Sequence, residues 1–185
     1  GIESEIGEEI YNACMRVYNC SGNSRWVRDK ELYYSNWELP IEVRQWLNFK
    51  LEHSPFPLRT GLHFENRTGM CNFSVVGRKA NPEQRKEYFY YDCKSKEREK
   101  IANALNEKYP DLQADVGGET GIDIFKKGCN KAQILSEFSN TDRIKFYGDR
   151  VDPAGNDYPL AVLLEPHQVF AVKDWKHTRK LLKNE

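Results

Sequence analysis

Ile2, Ile6, Ile10 and Tyr11 recur at helical spacing over residues 2–12. Residues 14–18 read as a short apolar strand, Ser21-Gly22-Asn23 as a turn, and residues 25–34 as a hairpin around Asp29-Lys30. Pro40 suits the first position of a helix, and Ile41, Val43, Trp46, Leu47 and Leu51 then share one face. Two prolines within residues 53–58 end that helix. From Gly61 the period shortens, and residues 62–65 and 70–76 alternate as two antiparallel strands around Thr68-Gly69. Asn81-Pro82-Glu83 starts the longest helix, to about residue 109, with an aromatic-rich middle at 88–93 where a kink or break is expected. Residues 112–116 and 120–125 form a further strand pair around Gly117-Gly118.

The last third alternates. Residues 131–138 predict a short helix, 144–147 a strand, 148–157 a loop, 169–172 a strand and 175–182 a closing helix. Strand, crossover and strand imply parallel pairing in an α/β sheet. The hairpins and long helix of the middle imply an α+β insertion. The expected organisation is a core of residues 1–35 and 127–185 around an inserted segment, 36–126.

Composition narrows the partners. The 185 residues carry 28 basic and 28 acidic side chains, so no basic surplus favours nucleic acid or a membrane surface. No apolar run reaches the length needed to span a bilayer, and no signal region opens the chain. Cys14, Cys20, Cys71, Cys93 and Cys129 are odd in number, with no Cys-x-x-Cys pair, and are expected as free thiols in a reducing compartment. A cytoplasmic location is the expectation, and three glycosylation-like triplets at Asn19, Asn66 and Asn72 read as chance.

Chemistry concentrates in Phe146-Tyr147-Gly148-Asp149-Arg150-Val151-Asp152-Pro153-Ala154-Gly155-Asn156-Asp157. A strand ends in a carboxylate, and a Gly-containing loop returns Asn156 and Asp157 beside it. Ligands of open parallel sheets sit at the carboxyl ends of strands, and Mg²⁺ takes oxygen ligands, so Asp149 with Asp157 is a candidate metal site. Asp, Asn, Gly and Pro are equally ordinary residues of an Asx-turn loop.

The segment resembles motif four of the haloacid dehalogenase superfamily in the form used by its eukaryotic-type phosphomannomutases. Gly117-Gly118-Glu119-Thr120-Gly121-Ile122-Asp123-Ile124-Phe125, then Gly128-Cys129-Asn130-Lys131, is similar to the same family's Gly-Gly…Asp-x-Phe…Gly…Lys run. Phe64-Glu65-Asn66-Arg67-Thr68-Gly69-Met70-Cys71-Asn72, Val76-Gly77-Arg78 and Asn81-Pro82-Glu83-Gln84-Arg85 resemble its cap pattern. The resemblance covers residues 6–182. It implies a haloacid dehalogenase-like α/β core, incomplete at its N-terminus, with an α+β cap. It makes Lys131 the fixed cation beside the transferring phosphoryl group. It makes Arg67, Arg78 and Arg85 the grip on the far phosphate, where guanidinium forks pair with a dianion. Asp123 matches the acid that holds sugar hydroxyls, and Gly121 stands where the family has serine. Residues 158–164 depart from the family's second-cation segment. Standing alone, Lys131 is an exposed helix-start lysine and each arginine an ordinary surface charge.

The family's Asp-x-Asp-Gly-Thr segment, whose first Asp accepts the phosphoryl group, has no counterpart: Asp-x-Asp occurs nowhere in the sequence. Three explanations are open: a piece of a longer precursor, which is favoured; a separate N-terminal chain that completes the core; or a non-catalytic binding remnant. The implied activity is interconversion of mannose 6-phosphate and mannose 1-phosphate, with Mg²⁺ as cofactor and a hexose bisphosphate intermediate. A sugar-phosphate or nucleotide phosphatase is the alternative. A homodimer through the cap is also implied.

Overall fold

The computed structural model describes residue 4, residues 6–153 and residues 155–183. They fall into two compact units, Gly1–Cys129 and Asn130–Glu185. Residues 1–35 fall in the same unit as residues 36–126.

The first unit opens with α1 (Glu8–Ala13). Residues 2, 3 and 5 of the expected helix lie outside the described residues. The strand expected from residue 14 starts later, because the Cys14 amide still donates to Ile10 and Tyr11 in the last turn of α1. β1 (Val17–Asn19), β2 (Ser24–Val27) and β3 (Lys30–Tyr34) then form an antiparallel sheet in that order. Val27 pairs with Lys30, so the hairpin turns on Arg28 and Asp29.

α2 (Ile41–Glu52) starts at Pro40, as the sequence predicts, and buries Val43 and Leu47. A four-stranded antiparallel sheet is built from β4 (Phe64–Arg67), β5 (Met70–Phe73), β6 (Leu112–Gly117) and β7 (Gly121–Lys126), in the order β4-β5-β7-β6. Strand alternation gives this sheet two different faces. Cys71, Phe73, Ala114, Ile122 and Ile124 face one way and join Val43, Leu47, Tyr88, Ile101, Ala102 and Leu105 in one core. The hydrophobic driving force of the unit is therefore spent between the sheet and its helices. The other face carries Glu65, Asn72, Asp115 and Asp123, with Met70 and Phe125 buried beside them.

The long helix expected over residues 81–109 is two helices, α3 (Pro82–Ser95) and α4 (Glu97–Lys108). The break falls at Lys96, in the left-handed region at φ 56°, beyond the aromatic stretch. Its cause is Asp92, whose carboxylate accepts from both the backbone N–H and Nε of Arg98, each at 2.8 Å. At the start of α3, Asn81 accepts from the Gln84 amide and Gln84 accepts in return from the Asn81 amide, both at 2.9 Å. Asn81→Ala opens this capping box, with an expected loss of about 1 kcal/mol. An unchanged urea midpoint would contradict that role.

In the second unit, residues 131–138 form a 3-10 segment (Lys131–Glu137) instead of the expected α-helix. None of its side chains is fully buried, so little burial offsets the cost of helix nucleation, and 3-10 turns serve as such short connectors. β8 (Phe146–Gly148) and β9 (Val169–Ala171) pair in parallel, as the alternation implies. Between them lies the single turn α5 (Tyr158–Ala161). α6 (Trp175–Leu182) closes the unit, its first turn capped by Asp174, which accepts from the His177 amide at 2.8 Å.

Candidate functional site

The polar face of the four-stranded sheet carries a row set by strand register. Glu65 pairs with Asn72, Asn72 with Asp123, and Asp123 with Asp115. Asn72 Nδ2 donates to Asp123 Oδ1 at 2.6 Å. Gly121 lies against this pair: a Cβ there would overlap the Asn72 side-chain amide. That close approach accounts for glycine at 121, whose contribution is room for Asn72 and a carbonyl for Arg98. Burial raises the Asp115 carboxyl above its ordinary range; the Gln113 side chain opposes this and the nearby Asp123 charge adds to it. On the opposite face, burial pushes the Cys71 thiol up to about 11, so it packs as a small neutral side chain.

Two of the expected arginines converge at the head of this row. Glu65 Oε2 accepts from Arg67 at 2.7 Å and from Arg78 Nε at 2.9 Å. Arg78 is placed by Gly77, which sits at φ 90° with its Cα so close to the Gly61 carbonyl that a Cβ would collide. The Arg78 amide then donates to the Leu62 carbonyl at 3.0 Å. Arg85 stands in the first turn of α3, and its Nε is buried with no hydrogen-bond partner among the described residues. Asn72 Oδ1 is likewise buried and unpartnered among the described residues. A charged donor and an acceptor left unsatisfied each carry a desolvation cost, which a ligand that bonds them removes.

Arg98 supports the face from behind. Its guanidinium donates to the carbonyls of Gly117, Gly118 and Gly121 at 3.3, 3.0 and 3.3 Å. It thereby ties the α3–α4 break to the hairpin that presents Asp123.

In the second unit, Lys131 Nζ donates to Asp157 Oδ1. Asp157 Oδ2 accepts from the backbone amides of Asp149 and Arg150, each at 3.1 Å. Asp157 is 3% exposed, whereas Asp149 is exposed. Burial by itself would raise the Asp157 carboxyl. The hydrogen bond from Lys131, the Arg150 amide, the Lys131 charge and the Asp149 side chain outweigh it and hold the group below the ordinary carboxylate range. Ionised Asp157 therefore stabilises the loop fully above about pH 4, and the contribution is lost as pH falls through the lowered value. Asp157→Asn is expected to flatten the acid limb of stability measured by urea unfolding between about pH 7 and pH 2. Identical acid limbs in both proteins would contradict it.

Mg²⁺ prefers carboxylates with free oxygens, waters and phosphate. Both Asp157 oxygens are engaged, and the described residues contain no group of three or more His, Cys, Asp or Glu side chains able to hold an ion. Among the described residues, no helix is long and apolar enough to cross a membrane.

The expected residues therefore gather in two places: Arg67, Arg78, Asp123 and Gly121 on the sheet face, and Lys131, Asp149 and Asp157 on the β8 loop. Arg85 is placed by the capping box of α3. Glu65, Asn72 and Arg98 carry roles that the motifs alone did not assign. Glu65 and Asn72 are found by strand alternation from Arg67 and Asp123, while Arg98 has no local signal.

Comparison with known proteins follows the same residues. The model of the family described as eukaryotic phosphomannomutase matches residues 32–184. A phosphomannomutase of Spinacia oleracea is 32% identical over 124 residues, covering 64% of this chain and 50% of that protein. One of Drosophila melanogaster is 31% identical over 144 residues, covering 71% and 56%. One of Schizosaccharomyces pombe is 38% identical over 110 residues, covering 57% and 43%. The chain spans about half the length of the curated relatives it matches.

Proposed function

Because the chain belongs to the eukaryotic phosphomannomutase family, we propose that its polar sheet face holds a hexose phosphate during interconversion of mannose 6-phosphate and mannose 1-phosphate. The observation that carries this reading is the convergence of Arg67 and Arg78 on Glu65, in the same strand-register row as the Asn72–Asp123 pair. Arg67, Arg78 and Arg85 would grip the phosphate that is not reacting, and Asp123 would accept hydrogen bonds from sugar hydroxyls. Asn72 keeps that carboxylate in one orientation.

In this reading the phosphoryl group passes through an aspartyl-phosphate on a carboxylate outside these 185 residues. The carboxylate oxygen forms a bond to phosphorus, the bond from phosphorus to the sugar oxygen breaks, and that oxygen takes a proton. Taken from a hexose bisphosphate, the phosphoryl group leaves a hexose monophosphate behind; the reverse step, from the aspartyl-phosphate to the free hydroxyl of mannose 1-phosphate with loss of that hydroxyl's proton, makes the bisphosphate again. Lys131, held by Asp157, would place a positive charge beside the phosphoryl oxygens. Mg²⁺, when bound, would neutralise phosphoryl charge, with Asp149 as the carboxylate this chain offers and the remaining ligands from outside it. A homodimer through the cap, residues 36–126, belongs to the same proposal.

Phosphorus NMR tests it on the protein together with the segment that bears the acceptor carboxylate, supplied with mannose 1-phosphate and a hexose bisphosphate. Mannose 6-phosphate is the expected product. Release of inorganic phosphate alone would make the protein a phosphatase, and no turnover with retained binding would make it a binding module.

A further inference from the structure

We propose that the cavity between the end of α2 and the α3–α4 break is a second binding site, for a small planar anion of the aromatic carboxylate class. Its volume is about 390 Å³, within the roughly 300–1,000 Å³ of small-molecule sites. It lies on the helix side of the first unit, lined by residues of α2, α3 and α4 and the loop after α2, and shares no lining residue with the polar sheet face.

The lining supplies flat apolar surface and positive charge together. Val43 and Leu47 of α2 are buried in the core, but Phe49 is 54% exposed and stacks on His53 with ring centroids 4.0 Å apart. This aromatic pair is not spent on the core, and it meets Tyr91 and Ile101 around the cavity. His53 Nδ1 lies 2.8 Å from the Phe49 carbonyl oxygen. In the tautomer that donates there, the ring is fixed and Nε2 is left as its second polar atom. Lys50 and Lys100 are both lining residues, and Lys50 Nζ stands 5.0 Å from the centre of the Trp46 ring beside the cavity.

One acid opposes them. Glu97 lines the cavity, but it is 8% exposed and its Oε2 accepts from the Tyr88 hydroxyl at 3.1 Å. That carboxylate repels an anionic group from the inner end. An occupant therefore enters ring first, against Phe49, His53 and Tyr91, with its carboxylate outward at the two lysines. Neutral aromatic ligands would gain the stacking alone, and sugar phosphates would gain the charge alone.

The test is titration of naphthoate into the 185-residue protein, followed by amide NMR spectra. Saturable shifts are expected at residues 49–55, 91 and 95–101. The Lys50→Ala/Lys100→Ala variant, altered at two surface positions, should bind about fivefold more weakly with an otherwise unchanged spectrum, as should the neutral naphthalenemethanol with the parent protein. The proposal is overturned if no shift saturates by about 10 mM. It is equally overturned if the alcohol binds as tightly as the acid, or if the shifts fall on the polar sheet face or in the second unit.

Discussion

Arg98→Met should remove about 3–5 kcal/mol of stability, since breaking a buried ion pair by deleting one partner strands the other charge. Arg98 and Asp92 are 4% and 6% exposed, and water cannot replace the lost fork. Asp92 would keep only the residue-98 backbone N–H, and the Gly117, Gly118 and Gly121 carbonyls would lose their shared donor. For a domain whose whole stability is roughly 5–15 kcal/mol, that is a large fraction. Arg98→Lys keeps the charge but not the planar fork, and should fall between the two. Pairing Arg98→Met with Asp92→Asn should cost less than the two changes summed, because the stranded charge is then gone. Urea unfolding checks all three; a loss under about 1 kcal/mol in Arg98→Met would show that the pair contributes little.

Arg85→Ala is expected to weaken sugar-phosphate binding about 10- to 100-fold, the equivalent of one or two charge-assisted hydrogen bonds. The reason for choosing Arg85 over its neighbours is its unpartnered Nε. Arg67 and Arg78 already bond Glu65, so phosphate must compete with a carboxylate for them, and each alanine variant there should lose less. Glu65→Gln sharpens the comparison. It weakens the clamp that orients both arginines but frees their charge, so its effect should be smaller than that of Arg85→Ala. Calorimetric titration with mannose 1-phosphate measures the order. Equal affinities across the series would remove the arginines from the site.

Local signals in the sequence reach as far as local physics does. Pro40, the turn glycines and the strand patterns at 62–65 with 70–76 and at 112–116 with 120–125 predict elements that the structure contains within a few residues. Arg67, Arg78 and Asp123 could be placed by motif because each stands on a strand or directly after a glycine turn. The break at Lys96 could not. It depends on Asp92 and Arg98 bonding across a turn, and on hairpin carbonyls some twenty residues away that make it worthwhile to bury Arg98. Asp157 shows the same limit. Its position beside Asp149 suggests a metal ligand, and its bonds to Lys131 and two backbone amides are visible only in the fold. That engagement is tertiary, and nothing in the loop's composition distinguishes a ligand from a loop brace.

The central claim is that the polar face of the β4-β5-β7-β6 sheet holds a sugar phosphate, and titration with mannose 6-phosphate followed by amide NMR tests it most directly. The account predicts saturable shifts at Glu65, Arg67, Asn72, Arg78, Arg85 and residues 121–123, abolished when Arg67, Arg78 and Arg85 are all changed to alanine. Absence of saturable shifts, or shifts that persist in the triple variant, would contradict it.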